Sequence, residues 1–231
     1  MLENLKKDLA KHGSKKKAKL LQGFFKTGKG EYGEGDIFLG VMVPKTREVA
    51  KKYKHLSFSD TKKLLKSKIH EHRQCALLIL VHNFENGDNK EKRKIVDFYL
   101  ANTKYVNNWD LVDLTAHKIL GAYYFDKNRS ILYKLAKSKD LWEKRISVVS
   151  TFWFIRYNDF KDSLKLAEIH LNDDHDLMHK AVGWMLREIG KKDQKTEEKF
   201  LKKYHKTMPR TMLRYSIERF SENKRKFYMK K

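Results

Sequence analysis

The chain has 231 residues, with 52 Lys and Arg against 29 Asp and Glu and a formal charge of +23. That length allows one sizeable domain or two small ones, and that charge attracts a polyanion: nucleic acid first, an anionic membrane surface second. The longest uninterrupted apolar run, Cys75–Val81, is far shorter than the roughly 20 residues of a membrane span, and a lone cysteine excludes an intramolecular disulfide framework and suits a reducing cytoplasm.

In chain order, the N-terminal segment MLENLKKDLAKHGSKKKAKLL is amphipathic and lacks the apolar core of a signal peptide. Next comes TGKGEYGEGDIFLG, where Gly28, Gly30, Gly33, Gly35 and Gly40 cluster. This is the one long non-helical stretch, and it reads as a flexible surface connection over 28–40. It lacks the G-x-x-x-x-G-K-[ST] pattern and a preceding strand, so it is not a phosphate-binding P-loop. From there apolar residues recur mostly at helical spacing. Helices are predicted over 44–54, 59–67, 70–85, 89–103, 107–122, 126–137, 140–157, 159–171, 175–189, 193–206 and 209–220. Pro44 and Pro209, the only prolines, sit where a helix can begin. Asp, Asn, Ser and Gly fall at several breaks. The C-terminal NKRKFYMKK, within 221–231, is a basic tail that suits non-specific DNA contact and simple disorder equally well.

Five of these helices share a polar start followed by an apolar stretch. Aligning them places Arg73, Asp113, Arg145, Lys180 and Arg214 in one column, separated by 40, 32, 35 and 34 residues. Two helices per unit at that period are the signature of a HEAT or armadillo solenoid. The expected fold is therefore all-α, a single HEAT-like solenoid over 1–231. Equivalent positions of stacked repeats would line a concave basic face, four cations and one carboxylate. A carboxylate there opposes phosphate binding, which invites a chemical role for Asp113. Equally open on pattern alone is an acid that orients Arg145 or caps a turn.

Other motifs are weaker. HDLMH places His175 and His179 one turn apart, but Asp176 replaces the glutamate of the zinc motif and no third ligand is evident. The histidines of HEH (70–72) alternate along a helix and face apart. Neither metal nor organic cofactor is expected. Trp142 and Trp153 read as core.

Several segments together resemble the DNA alkylation repair enzymes of the AlkD family: YGEGDIFLGVMVPKTREVAK (32–51), HEHRQCALLILV (70–81), VNNWDLVD (106–113), WEKRISVVSTF (142–152) and AVGWMLREIGK (181–191). The resemblance implies a HEAT-like solenoid that holds duplex DNA. It implies a monofunctional glycosylase that removes N3- and N7-alkylated purines in base excision repair without flipping the base into a snug pocket. Matched residue by residue, the catalytic aspartate is Asp113, its flanking tryptophan Trp109, the W-E-x-R arginine Arg145 and a second tryptophan Trp184. Tyr32 corresponds to an aromatic residue ahead of the F-L-G segment. Arg73, Lys180, Arg187 and Arg214 are candidate backbone contacts. The expected partner is double-stranded DNA with alkylated purines, not a membrane, and the expected state is a monomer in the cytoplasm, associated with the nucleoid through DNA. A non-catalytic reader of DNA structure on the same scaffold is the rival reading, and a protein-binding solenoid a further one.

The charge makes one prediction. Affinity for duplex DNA falls linearly with salt on logarithmic axes, with a slope of roughly −0.9 per neutralised phosphate. A fluorescence-anisotropy titration checks it, and no binding at low salt would sink every DNA reading.

Overall fold

A computed structural model describes residues 1–230. They form sixteen α-helices with no strand, only an isolated bridge between Ile37 and Ile69. Among the described residues no helix is long and apolar enough to cross a membrane. The chain divides into two compact units, Met1–Thr115 and Ala116–Lys231.

The first unit holds α1 (Leu2–Lys11), α2 (Lys15–Phe24), α3 (Val43–Lys52), α4 (Phe58–Leu65), α5 (His70–Asn86) and α6 (Asn89–Leu100), followed by a short 3-10 turn and then α7 (Trp109–Ala116). Its centre is α5, where every residue from His70 to Val81 is buried. A helix buried on every face must be surrounded; α3, α4 and α6 pack against it, and α1 adds Leu5 and Leu9. Side-chain caps set the starts: Ser57 Oγ accepts from Asp60 N at 3.2 Å, and Asp88 Oδ1 from Glu91 N at 2.8 Å. Pro44 lies in the first turn of α3, where its missing N–H costs nothing.

In the second unit a five-residue π-helical turn, His117–Gly121, precedes α8 (Ala122–Tyr124). Then come α9 (Ser130–Ala136), α10 (Leu141–Ser150), α11 (Phe152–Arg156), α12 (Lys161–Ile169), α13 (Asp176–Lys192), α14 (Gln194–Tyr204), α15 (Arg210–Ser216) and α16 (Glu222–Met229). The central element is α13, with Met178, Ala181, Val182, Met185, Leu186 and Ile189 buried at helical spacing. It packs on α10, α12, α14 and α15. Gly183 lets α13 approach α15 closely, since a Cβ there would strike the Met212 carbonyl. Gly121 does the same for the π turn against the Ser150 carbonyl of α10. Asp140 caps α10 through the Trp142 and Glu143 amides, at 2.7 and 3.0 Å.

Three expectations change. The glycine-rich stretch is folded, not loose: Gly28 N donates to Glu31 and Gly30 N to Glu34, each at 2.8 Å, and Gly30, Gly35 and Gly40 take the positive φ that glycine permits. The basic C-terminal segment contains α16, whose Tyr228 is buried against Phe220 and His205; its last residue, Lys231, lies outside the described residues. And the predicted helices over 107–122 and 140–157 are each broken, by the π turn and by Thr151.

Glu197 on α14 is almost wholly buried and its Oε1 has no hydrogen-bond partner. Burial pushes its carboxyl to about 9, with Glu198 adding to the rise. A raised acid keeps its proton when folded and loses it when unfolded, so stability falls as pH rises from the ordinary carboxylate range towards 9. Glu197→Gln should therefore melt above the wild type at pH 8, by about 2–4 °C per kcal/mol recovered, with the difference shrinking at pH 5. Parallel melting curves at the two pH values check this.

Candidate active site

The site begins at the start of α7. Asn108, fully buried, accepts from Asp110 N through Oδ1 at 3.0 Å and turns the chain into the helix. Trp109 is the first residue of α7 and Asp113 the fifth, so the indole and the carboxylate share one face. Both are partly exposed. Asp113 also makes itself felt inside the unit: burial raises the Tyr99 hydroxyl well above its usual range, and the charge of Asp113 adds to the rise.

Trp109 is held on several sides. Its Nε1–H donates to the Tyr32 hydroxyl at 3.0 Å. Its ring packs on Phe25, 4.9 Å between centroids, and meets Phe24 edge-on at 5.7 Å. Phe25 in turn stacks on Phe38 and His70. The glycine-rich segment is what delivers Tyr32. Gly33 lies so close to the Phe25 carbonyl that no side chain fits, and its N–H donates to Lys26 O at 3.1 Å. A cavity of about 200 Å³ opens beside the indole, lined by Phe24, Phe25, Phe38, Met42, Trp109 and Asp110 among others.

Beneath the aromatic bank lies a buried polar network. His70 Nε2 bonds Asp110 Oδ2 at 3.0 Å, and Gln74 Nε2 donates to the same oxygen at 2.5 Å. His70 Nδ1 lies 3.6 Å from Asp36 Oδ2, too far for a hydrogen bond and near enough for charge attraction. Arg73 donates to Asp36 Oδ2 at 2.6 Å and to the Ser67 carbonyl at 2.8 Å. Burial alone would depress His70, but the carboxylates of Asp110 and Asp36 outweigh it and hold the imidazole above its ordinary value. One residue along, the Glu71 carboxylate takes the backbone N–H groups of Leu39, Gly40 and Val41, at 2.9, 2.7 and 3.1 Å. It pins the end of the glycine-rich segment to α5.

The residues singled out from sequence fall into two groups. Tyr32, Trp109 and Asp113 belong to the first unit, and Tyr32 and Trp109 touch. Arg73 departs from expectation. It is 3% exposed and committed to Asp36 and Ser67, so it is a structural cation inside the first unit rather than a phosphate ligand. The rest lie in the second unit. Arg145, the fifth residue of α10, is buried, with Nη1 donating to the Leu177 carbonyl at 2.6 Å. Lys180, the fifth of α13, pairs with Asp176 at 2.7 Å. Trp184 Nε1 donates to Glu188 at 3.1 Å, and its ring packs on Phe152. Arg187 is bound to Glu218. Arg214, the fifth of α15, is exposed. Trp142 is buried as expected, whereas Trp153 is half-exposed and carries Arg156 over its ring at 5.0 Å.

Sequence reading missed Phe24, Phe25, Asp36, His70, Gln74 and Asp110. A signal was present: five polar residues, His70 to Gln74, run straight into the apolar CALLILV, and polar groups that lead into a buried helix need partners. The HDLMH histidines also have structural work. His175 caps α13 by accepting from Leu177 N, and His179 bonds the Asp173 carbonyl. Among the described residues no group of three His, Cys, Asp or Glu could hold a metal ion.

Comparison with known proteins follows the same line. No curated protein sequence matches the chain. A solved structure described as a predicted DNA alkylation repair enzyme from Enterococcus faecalis shares the fold, with a TM-score of 0.69 at 15% identity, over 91% of this chain and 98% of that one. Residues 5–220 match the family described as DNA alkylation repair enzyme. That match spans nearly the whole chain, including the α7 segment that carries Trp109 and Asp113, and the chain is a member of the DNA alkylation repair enzyme family.

Proposed function

We propose that the protein is a DNA glycosylase that hydrolyses the N-glycosidic bond of cationic N3- and N7-alkylpurines in duplex DNA. The observation that carries this reading is the pairing of Trp109 and Asp113 on one partly exposed face of α7, in a chain of charge +23.

Alkylation at N3 or N7 already places positive charge on the purine. The base is then a good leaving group and needs no strong general acid. The barrier lies at the sugar, where an oxocarbenium-like cation develops at C1′ as the bond breaks. A fixed carboxylate stabilises that cation and positions or deprotonates the attacking water. Asp113 is suited to both tasks. The Trp109 indole adds cation–π attraction of roughly 0.5–2 kcal/mol as charge develops. Its contacts with Tyr32, Phe24 and Phe25 hold its plane before substrate arrives, and a preorganised group costs no reordering at the moment of reaction.

The network under α7 supports the same reading. Asp110 lies one residue from Trp109 and three from Asp113, and His70 and Gln74 hold it from below. His70 is thus a positioning residue for the reacting face. In the second unit, the exposed Arg214 is the cation best suited to phosphate contact, whereas Lys180 is paired with Asp176. Arg187 is compensated by Glu218 and Glu188, and Arg145 donates to the Leu177 carbonyl of its own unit. Trp184 is a second candidate indole, within the second unit, where its ring packs on Phe152.

The direct test is single-turnover release of 7-methylguanine and 3-methyladenine from methylated duplex, at saturating protein. Asp113→Asn should bind duplex as the wild type does and release base about 10²–10³-fold more slowly. If the wild type binds duplex yet releases no base, the protein reads DNA structure without cleaving it. His70→Gln should cost about 1–3 kcal/mol of stability through loss of the charged hydrogen bond to Asp110, which Gln74 then holds alone. Because the folded-state value of His70 is raised, its contribution is complete below about pH 6.5 and is lost as pH rises through the folded value. The melting-temperature gap between wild type and His70→Gln should therefore narrow on the alkaline side; a gap constant from pH 6 to 9 contradicts a charged His70.

A further inference from the structure

Helix α2 is unlike every other helix of the first unit, because none of its residues is buried. Its sequence, KKKAKLLQGF, has four lysines and no acid. Some lysines of the neighbouring helices are neutralised: Lys6 with Glu3, Lys11 and Lys52 with Asp8, Lys45 with Glu48, Lys63 with Asp60. Among the described residues, no carboxylate lies within ion-pair distance of Lys15, Lys16, Lys17 or Lys19. The same helix leaves Leu20 and Phe24 65% and 63% exposed. Lys16, Leu20 and Phe24 stand at i, i+4 and i+8, so they form one row along the helix. The row ends at the site, where the Phe24 ring meets the Trp109 indole edge-on. Gly23, beside it, has open space where a side chain would stand.

We propose that α2 is a DNA-contacting edge of the protein, its lysines on phosphates of the duplex and Leu20 and Phe24 packed on the sugars of the minor groove beside the lesion. The inference rests on the reading of Trp109 as part of the lesion site. Uncompensated lysines fit a polyanion, and phosphate contacts set position without reading sequence. Apolar side chains that enter the minor groove part its walls and bend the duplex. Phe24 is placed to do so where Trp109 meets the deoxyribose, which would strain the damaged nucleotide before its bond breaks. An anionic membrane is the other surface that a basic amphipathic helix can meet. The edge contact with Trp109 favours DNA, since a helix embedded in lipid would leave that indole and the Asp113 face against the headgroups.

The first measurement is the salt dependence of binding to undamaged duplex, which needs no base release. Replacing Lys15, Lys16, Lys17 and Lys19 together by Ala should make the log–log slope shallower by about 3–4, at roughly 0.9 per phosphate contact. All four are exposed, so the variant keeps its fold, which circular dichroism verifies. The second is a photo-crosslinking amino acid at position 24, expected to form an adduct with duplex. The third is Phe24→Ala, expected to lower single-turnover base release about tenfold while affinity for undamaged duplex changes less than about threefold.

An unchanged salt slope, or no duplex adduct from position 24, overturns the proposal. So does loss of binding to phosphatidylserine vesicles in the lysine variant with its DNA slope unaltered, which would make α2 a membrane-surface helix. If the slope shift and the adduct appear but the wild type releases no base, the glycosylase reading fails and the DNA-contacting edge stands.

Discussion

The first unit depends on a requirement that buried polar groups be paired. Five consecutive polar residues, His70 to Gln74, are buried at the start of α5, where an unsatisfied donor or acceptor costs about 1–3 kcal/mol. His72 bonds nearby Ser67, and the other four have partners distant in sequence. His70 and Gln74 reach Asp110 at the start of α7, Arg73 reaches Asp36, and Glu71 gathers three backbone amides from Leu39 to Val41. Two segments of weak intrinsic structure, the glycine-rich stretch and the first turn of α7, are thereby fixed to the most deeply buried helix of the unit. The chain next to those two segments supplies Tyr32, Trp109 and Asp113.

This arrangement suits the proposed reaction, whose difficulty lies in a developing positive charge. The stabilising groups must be in place beforehand, because a carboxylate or indole that moves to meet the charge spends the gain on its own reordering. Trp109 is therefore packed rather than free: hydroxyl on one side, two phenyl rings on another, a buried ion pair underneath. A member of the DNA alkylation repair family can in this way present an acid on a strongly cationic surface without losing its geometry to nearby lysines.

The cationic surplus is not spread evenly in its effect. Many lysines answer a carboxylate three or four residues away, and exposed pairs of this kind contribute little to stability. Their effect is to cancel charge locally. The lysines of α2 and Arg214 on α15 are among the cations left uncancelled, and such cations are what a phosphate backbone would meet. Net charge alone indicates an anionic partner. The pairing pattern indicates where on each unit it would act.

The helical class, the helix starts and the repeat were legible in the sequence because they are local. Period and capping chemistry depend on neighbours three or four residues apart, so Pro44 and the polar residues at the breaks announced helix starts. Asp113, Arg145, Lys180 and Arg214 each fall at the fifth residue of their helix, as the column of equivalents implies. Asp113 and Trp109 were singled out by the resemblance of the NNWD segment to the family, and the structure sets them on one face of α7. Arg73 was misread because its position in the column says nothing about its depth. That depth is set by Asp36, 37 residues away. Tertiary structure alone decided which charges are buried and answered, which loop carries Tyr32 to Trp109, and which face of α2 is left exposed. Each of these is settled by contacts between segments far apart in the chain, and a local pattern carries no record of them.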